Sequence, residues 1–421
     1  MDGSTDHQGA SPRTEAGPRP FRRRVFYIPG YDPIHPRRYR ELYRREGAVQ
    51  AKLSGYTLTL KPKKLRGPYG WHVETQIEGQ RTEADVEVLV WSDIVRGSMD
   101  QGIPGTYLQL ARTAWAYIGS GALFRLMRLR KGPMIAALYP IVVLLAQLLA
   151  AMALGGAILA LCSAFLPAPS GFWAGLGFGL AALVQMLRWF RKKDGKIYAY
   201  YLMHDYAFGA GRHGANPPEL EARMTAFRLS LAEALAGSYD EVLVVGHSSG
   251  AHLAVSILAD LIRAGLPARH PQLSLLSLGQ VVPMISFLPE ARRLRADLAY
   301  LSASDDLVWV DVTAPGDGCA FALCDPVAVS GVAPPDQRWP LIFSAAFSQT
   351  LRPETWDALR RRYFRLHFQY LCAFDNLPGE PWDYDYFRVT AGPQTLGARF
   401  GTRPQSKSRI DRAANRYTTV A

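Results

Sequence analysis

The chain has 421 residues, of which 48% are hydrophobic and 20% charged, and its formal net charge is +12. This composition excludes an intrinsically disordered protein, and the length allows one large domain with insertions or two ordinary domains. The basic residues cluster around an apolar block in mid-chain and near both termini, without the aromatic-basic motif of a nucleic-acid-binding fold. An anionic membrane surface, rather than a nucleic acid, is therefore the expected partner of this charge.

The four cysteines indicate neither a disulfide framework nor a zinc site. Cys162 lies in the apolar block, and the pair Cys319 and Cys324 has no matching Cys or His pair. We therefore expect no metal and no cofactor, in a reducing compartment. The polar residues 1–20 predict a disordered leader and contain no apolar segment typical of a signal peptide.

Residues 21–131 predict the first part of an α/β domain. The run Arg24–Ile28 indicates a buried strand, and residues 57–60 and 84–91 indicate two further strands. Between the first two strands, residues 36–51 have the pattern of a helix.

The middle of the chain is an apolar block with no charged residue from Gly132 to Leu187. The block divides at the segment 167–171, which contains two prolines and a glycine. Each half, residues 134–166 and 172–190, is long enough for a helix to cross a hydrocarbon core of roughly 30 Å. The pattern predicts a transmembrane hairpin over residues 132–190. The alternative is a pair of long apolar helices buried inside a soluble protein.

Basic residues flank the predicted hairpin on both sides, whereas the connecting turn has none. They are Arg125, Arg128, Arg130 and Lys131 before the first span, and Arg188, Arg191, Lys192, Lys193 and Lys196 after the second. Positively charged flanks stay on the cytoplasmic side of a membrane, so the pattern predicts two spans with the soluble parts of the chain in the cytoplasm.

Glycines recur at every fourth residue of the second span, at Gly171, Gly175 and Gly179, and the first span contains Gly155 and Gly156. Small residues allow helices to approach closely in a bilayer. They predict tight packing of the two spans, or of two copies of the hairpin in a homo-oligomer.

Residues 191–398 alternate between helical and strand patterns and predict the second part of the domain. The predicted helices are 218–236, 250–264 and 289–299, and the predicted strands are 241–245, 273–281 and 307–313. This alternation indicates a mostly parallel sheet flanked by helices. The basic residues 399–421 predict a flexible tail.

One pentapeptide combines a serine with small neighbours, Gly246-His247-Ser248-Ser249-Gly250. It stands between an apolar strand pattern and an apolar-periodic helix pattern, which is the context of a nucleophile elbow. Such a turn holds the serine in a strained backbone conformation, and its two glycines let strand and helix approach. The amino end of the following helix favours negative charge near the serine hydroxyl.

With this pentapeptide and its flanks, the sequence resembles the α/β-hydrolase superfamily of serine esterases and lipases. The resemblance covers roughly residues 22–120 and 195–395 and implies an α/β-hydrolase-like sheet, here interrupted by two transmembrane helices. It also implies that Ser248 is the nucleophile, followed along the chain by an acid and then by a histidine.

Three histidines follow Ser248 in the chain. His252 lies one helical turn beyond the serine and is expected to point away or to pack. His270 precedes every plausible acid. His367 therefore remains as the general base, and the alternative is a hydrogen-bonded residue of an aromatic core segment.

The acid of the triad is expected just beyond the carboxyl end of a strand, where its carboxylate can accept from a histidine Nδ1–H. Asp317 follows the predicted strand 307–313 in a Pro/Gly turn and is the preferred candidate. Asp311, within the strand, and Asp325, before a proline, are the alternatives.

The oxyanion hole of such an enzyme needs two backbone N–H donors. The resemblance implies that Ser249 supplies one and that the loop after an early strand supplies the other, from Gly30 or Tyr31. The chain departs here from the His-Gly start that is common in lipases.

Taken together, these patterns predict a membrane-anchored serine hydrolase that cleaves a carboxylic ester or thioester through an acyl-enzyme. Its location favours a small acyl or lipid substrate. The alternatives are an acyltransferase on the same triad and an inert membrane-tethered scaffold with a hydrolase fold.

Overall fold

A single eight-stranded sheet organises the chain in the computed structural model, which describes residues 19–63, 66–375 and 384–420. The strand order is β2-β3-β4-β1-β5-β6-β7-β8. The strands are β1 (Phe21–Ile28), β2 (Thr57–Pro62), β3 (Gly70–Ile77), β4 (Gln80–Val88), β5 (Glu241–His247), β6 (Gln272–Leu278), β7 (Val308–Thr313) and β8 (Leu341–Ser344).

Helices cover both faces of the sheet and also form a separate hairpin. They are α1 (Arg37–Ser54), α2 (Ser92–Met99), α3 (Ile103–Gly119), α4 (Ala122–Leu129), α5 (Lys131–Phe165), α6 (Ser170–Lys192), α7 (Asp194–Ile197), α8 (Ala199–Ala210), α9 (Pro218–Leu235), α10 (Gly250–Arg263), α11 (Val282–Ser286), α12 (Arg292–Ala303), α13 (Pro326–Val329), α14 (Phe347–Thr350), α15 (Pro353–Leu359), α16 (Tyr363–His367), α17 (Tyr386–Ala391) and α18 (Leu396–Phe400). A 3-10 turn, Gln369–Leu371, follows α16.

The sheet is mostly parallel, as the alternation of strands and helices predicts. Six strands, from β4 through β1 and β5 to β8, run parallel, and β2 and β3 add an antiparallel edge next to β4. All seven residues of β5 are buried, as expected for a central parallel strand covered on both faces. The predicted α/β class is confirmed at this level.

The two faces of the sheet belong to two apolar cores. On β1, Val25 and Tyr27 enter one core, while Phe26 and Ile28 enter the other, because successive side chains of a strand point to opposite faces. Helices α9, α10 and α12 cover the second face. The resulting three-layer structure presents the carboxyl ends of its parallel strands at one edge.

The order in which strands are added to the sheet changes side at β1. Strands β2, β3 and β4, which follow β1 in the chain, lie on one side of it, and β5 and the later strands lie on the other side. Such a switch point leaves a crevice beyond the carboxyl ends of the two strands. The loop that begins at Pro29 and the turn at Ser248 lie at this point.

Several predicted boundaries were wrong. The strand expected to reach residue 91 ends at Val88, and β3 and β8 were not predicted. The helix expected to begin at Pro289 begins at Arg292. The guanidinium of Arg295 binds the carbonyls of Ser286, Leu288 and Pro289, which holds that segment in a turn. Residues 1–18 of the predicted leader lie outside the described residues.

Helices α5 and α6 form an apolar hairpin between the two parts of the domain. Both are long and apolar enough to cross a membrane, and only 22% of the residues in the apolar window of each are buried. Large side chains such as Leu149, Phe165 and Trp173 are exposed. This exposure contradicts the alternative of two apolar helices enclosed by a soluble protein.

The glycines of the hairpin lie where the two helices touch. A Cβ atom on Gly179 would lie 2.6 Å from the carbonyl oxygen of Gly155, and a Cβ on Gly155 would lie 2.8 Å from that of Gly179. A Cβ on Gly175 would lie 3.0 Å from Leu159. These glycines therefore allow the two helices of one hairpin to pack closely. The sequence allowed either this packing or packing between two copies of the hairpin.

The C-terminal residues differ from the predicted flexible tail. The backbone N–H of Asp325 donates to the carbonyl of Ile410, and Arg295 Nε donates to the carbonyl of Thr419. Ile410 and Ala414 pack against a small apolar cluster that also contains Met134 of α5. The basic side chains of residues 399–420 therefore belong to an extended segment that packs against the domain.

Candidate active site

The turn after β5 holds Ser248 in a left-handed backbone conformation, with φ of +56°. Its backbone N–H donates to the carbonyl of Leu278 at 2.9 Å. A Cβ on Gly250 would lie 2.1 Å from the carbonyl oxygen of Ile28, and one on Gly246 would lie 2.7 Å from the Cα of Ala251. The two glycines thus permit a turn that no larger residue fits. The turn leaves Ser248 only half-buried.

His367 and Asp317 form a buried pair at the same edge of the sheet. His367 Nδ1 lies 2.7 Å from Asp317 Oδ2 and donates to it. His367 ends α16, and Asp317 follows β7 in the turn that was expected to hold the acid. The hydrogen bond engages Nδ1 and leaves Nε2, the nitrogen that acts as the base in such a pair, without a partner among the described residues; Ser248 lines the same cavity.

Asp317 accepts two further hydrogen bonds. The hydroxyl of Tyr370 donates to its Oδ2 at 3.1 Å, and the backbone N–H of Cys319 donates to its Oδ1 at 2.9 Å. Burial alone would raise the pKa of Asp317, but the neighbouring His367 and these donors hold it below its usual value. The carboxylate is therefore ionised and orients the imidazole.

The alternative acids lie elsewhere. Asp311 is buried within β7, where Ser277 Oγ donates to it, and burial raises its pKa to about 8. Asp325 caps the short helix α13 through the N–H groups of Val327 and Ala328. Neither carboxylate contacts His367, so among the three candidates the structure brings only Asp317 to the histidine.

The histidine of the pentapeptide supports the candidate base, a contact that the sequence does not reveal. His247 Nε2 donates to the backbone carbonyl of His367 at 2.9 Å, and the ring centroids of the two histidines lie 4.8 Å apart. Burial lowers the pKa of His247 to about 3, so this ring stays neutral. It fixes the position of His367 without adding a charge.

His252 and His270 occupy different environments. His252 was expected to point away or to pack, but it lines the cavity beside Ser248, and its buried Nδ1 has no hydrogen-bond partner among the described residues. Burial lowers the pKa of His252 to about 4. His270 contacts the carbonyl of Pro271 in the connection before β6 and does not line the cavity.

The backbone N–H groups of Gly30, Tyr31 and Ser249 have no acceptor within the described part of the chain. All three residues line the cavity with Ser248. A Cβ on Gly30 would lie 3.0 Å from the Cβ of Ser248, so the loop after β1 passes directly over the serine. Free backbone donors at this point are suited to a developing oxyanion.

A carboxylate oxygen of Asp317, the sulfur of Cys319 and a ring nitrogen of His367 lie within 4.8 Å of one another, which is close enough for all three to bind one metal ion. Two features argue against a metal ion at this position. The 2.7 Å hydrogen bond between Asp317 and His367 is too short to hold an ion between the two atoms, and burial raises the pKa of the Cys319 thiol, which favours its protonated form.

The cavity in front of Ser248 extends toward the hairpin. Its wall includes Pro133 in the first turn of α5, and Tyr201 and Tyr206 from α8, which follows the hairpin after the short helix α7. Phe364 and Phe368, close to His367 along the chain, complete an aromatic lining. The cavity therefore lies between the carboxyl edge of the parallel strands and the base of the apolar hairpin.

One further polar residue of the cavity carries no sequence motif. Asp205 lies on α8 within an aromatic segment and lines the cavity together with Ser248 and His367. Burial raises its pKa to about 7, although the nearby His367 opposes this shift. The sequence gives no signal for Asp205, because its place in the cavity depends on how α8 packs over the pocket.

Comparisons of the chain with models of protein families, with curated proteins and with solved structures find no match.

Proposed function

We propose that this protein is a membrane-anchored serine hydrolase that cleaves a carboxylic ester or thioester. One observation carries the proposal: a serine with φ of +56° at the carboxyl end of β5 shares a cavity with a histidine whose Nδ1 lies 2.7 Å from a buried carboxylate. Ser248, His367 and Asp317 would be nucleophile, base and acid. Their order along the chain agrees with the resemblance to α/β-hydrolases.

In the proposed reaction, His367 Nε2 takes the proton of Ser248 as the hydroxyl oxygen attacks the carbonyl carbon of the substrate. Asp317 stabilises the imidazolium through the Nδ1–H that it accepts. The N–H of Ser249 and an N–H from the loop of Gly30 and Tyr31 bind the oxyanion. Collapse releases the alcohol or thiol, protonated by His367, and water then hydrolyses the acyl-enzyme by the same steps.

The apolar hairpin supports a lipid or acyl substrate. If α5 and α6 cross the bilayer, the cavity that reaches Pro133 lies near the membrane surface, where amphiphilic esters concentrate. The basic flanks support an orientation with the catalytic domain on the cytoplasmic side. Aromatic side chains in the cavity provide an apolar surface for such a substrate.

Labelling by a fluorophosphonate probe in native membranes tests the nucleophile. The probe phosphonylates an activated serine, so the wild-type protein should be labelled and the Ser248→Ala variant should not. Ser249→Ala is a matched control, because it removes the neighbouring hydroxyl and retains the backbone N–H. We expect this variant to be labelled.

Two results would refute the nucleophile: an unlabelled wild-type protein, or Ser248→Ala labelled as strongly as wild type. An acyltransferase would pass the same labelling test. Product analysis with a short-chain ester and a competing alcohol separates the two activities, since a hydrolase releases mainly the free acid.

A further inference from the structure

The carboxyl group of Asp205 has no partner within the described residues. It accepts no hydrogen bond and forms no ion pair there, although burial disfavours its charge. Asp205 lines the cavity of Ser248 and also the adjoining cavity beyond His252. Asp205 is partly exposed at the junction of these two cavities, so a ligand that enters them can reach its carboxyl group.

Burial is the main cause of raised pKa values at four tyrosines, and the charge of Asp205 adds to the shift at each: Tyr31, Tyr117, Tyr201 and Tyr206. Three of their hydroxyls donate elsewhere. Tyr31 donates to Ser98 Oγ, Tyr117 to the carbonyl of Met284 at 3.0 Å, and Tyr201 to the carbonyl of Tyr31. The hydroxyls of these three tyrosines are therefore engaged away from the carboxyl group.

The cavity differs in charge from the rest of the chain. None of the described residues that line it is Lys or Arg, although the chain carries a net charge of +12. The second carboxylate in the lining, Asp32, is already bound by Arg38 Nη1 at 3.0 Å and by the Tyr39 hydroxyl at 2.6 Å. Of the two carboxylates among the described lining residues, Asp205 is the one that remains available to a ligand.

We propose that Asp205 and the tyrosines around it recognise a positively charged ammonium group, so that the preferred substrate is an ester or thioester bearing such a cation. The inference rests on the proposed hydrolase function. A carboxylate supplies the opposite charge, and aromatic rings attract alkylammonium cations through their faces. Anionic head groups are disfavoured in the same cavity, because its described lining offers the carboxylate of Asp205 and no lysine or arginine.

The recognition should depend on pH. With a pKa of about 7, Asp205 is largely ionised at pH 8 and largely protonated at pH 6, so selection for a cation should be stronger at pH 8. The titratable groups that share the cavity with Asp205 are Tyr31, Asp32, Tyr39, Tyr117, Tyr201, Tyr206, His247, His252, Cys319 and His367.

The test compares two esters of one shape, 2-(trimethylammonio)ethyl butyrate and its neutral analogue 3,3-dimethylbutyl butyrate, with the full-length protein in detergent micelles. We expect a kcat/KM about tenfold higher for the cationic ester in the wild type at pH 8. The ratio should fall at pH 6 and should be about one in Asp205→Asn. Asp336→Asn, which removes an exposed aspartate, is the matched control and should retain the ratio.

Binding of the same two esters to Ser248→Ala, measured by calorimetry, separates this inference from the proposed function. If wild type hydrolyses neither ester but Ser248→Ala binds the cationic one about tenfold more tightly, the hydrolase proposal fails and the recognition stands. Equal hydrolysis of both esters overturns the recognition and leaves the hydrolase intact. Equal binding of both esters, no binding of either, or a preference that persists in Asp205→Asn also overturns it.

Discussion

Among the described residues, the hydrogen bond with His367 distinguishes Asp317 from the other buried aspartates. Replacing it by Asn should lower kcat by about four orders of magnitude, because an amide does not hold the imidazole in the tautomer that accepts the serine proton. Hydrolysis of p-nitrophenyl butyrate by the purified protein measures the loss. Asp311→Asn changes a second buried aspartate of the same region and should retain the activity. Equal losses in the two variants would show that the acid is misassigned.

Asp311 should affect stability rather than activity. Its pKa is raised to about 8 by burial, so the folded protein keeps this proton where the unfolded chain releases it near pH 4. Stability should therefore fall between about pH 4 and pH 8, by up to about 1.4 kcal/mol per unit. Asp311→Asn removes this pH-dependent contribution to stability. The difference in unfolding midpoint, variant minus wild type, should therefore be larger at pH 8 than at pH 5. An equal difference at both pH values would contradict the buried, protonated state.

At the level of residues, the sequence indicates those candidate site positions that have a local pattern. The strand, turn and helix around Ser248 mark it, and counting histidines leaves His367. The choice among Asp311, Asp317 and Asp325 depends on how the segment after β7 turns toward α16, which has no local pattern. The supporting contact of His247 and the position of Asp205 depend on packing between distant elements, so no sequence signal could have found them.

Among the elements, the hairpin gives the sharpest test of packing. Gly179 touches Gly155 across the two helices, whereas an added Cβ on Gly177 would meet nothing within 4 Å. Gly179→Ala should therefore force the helices apart and cost about 1–3 kcal/mol, while Gly177→Ala should be close to neutral. The unfolding midpoint in detergent measures both variants. Similar midpoints for the two would contradict the contact between α5 and α6.

The elements that were predicted best are those with long or strongly periodic apolar patterns. Helices α5 and α6 and the buried strand β5 belong to this group. Strand β3 was missed because it is half-exposed and contains polar residues at alternate positions, and β8 has only four residues. The position of α12 is decided by hydrogen bonds from Arg295, which act across the turn and leave no mark in the local pattern.

For the whole molecule, the orientation in the membrane remains a prediction from the basic flanks. Ser170→Cys, in the turn of the hairpin, should react with a membrane-impermeant maleimide in intact cells. Ser408→Cys, which is exposed on the α/β domain, should react only after permeabilisation. Wild type gives the background from its four cysteines. The reverse pattern of labelling would place the α/β domain on the other side.

The strand order has a consequence for biosynthesis. Strand β1 pairs with β4 on one side and with β5 on the other, and the hairpin lies between these two partners along the chain. If α5 and α6 insert as a transmembrane hairpin, a ribosome delivers them to the membrane while one edge of β1 is still open. The turn at Ser248 can form only after β5 has emerged and paired with that edge. Under the proposed function, insertion into the bilayer would thus precede completion of the site, and Ser248 would become reactive only at the membrane.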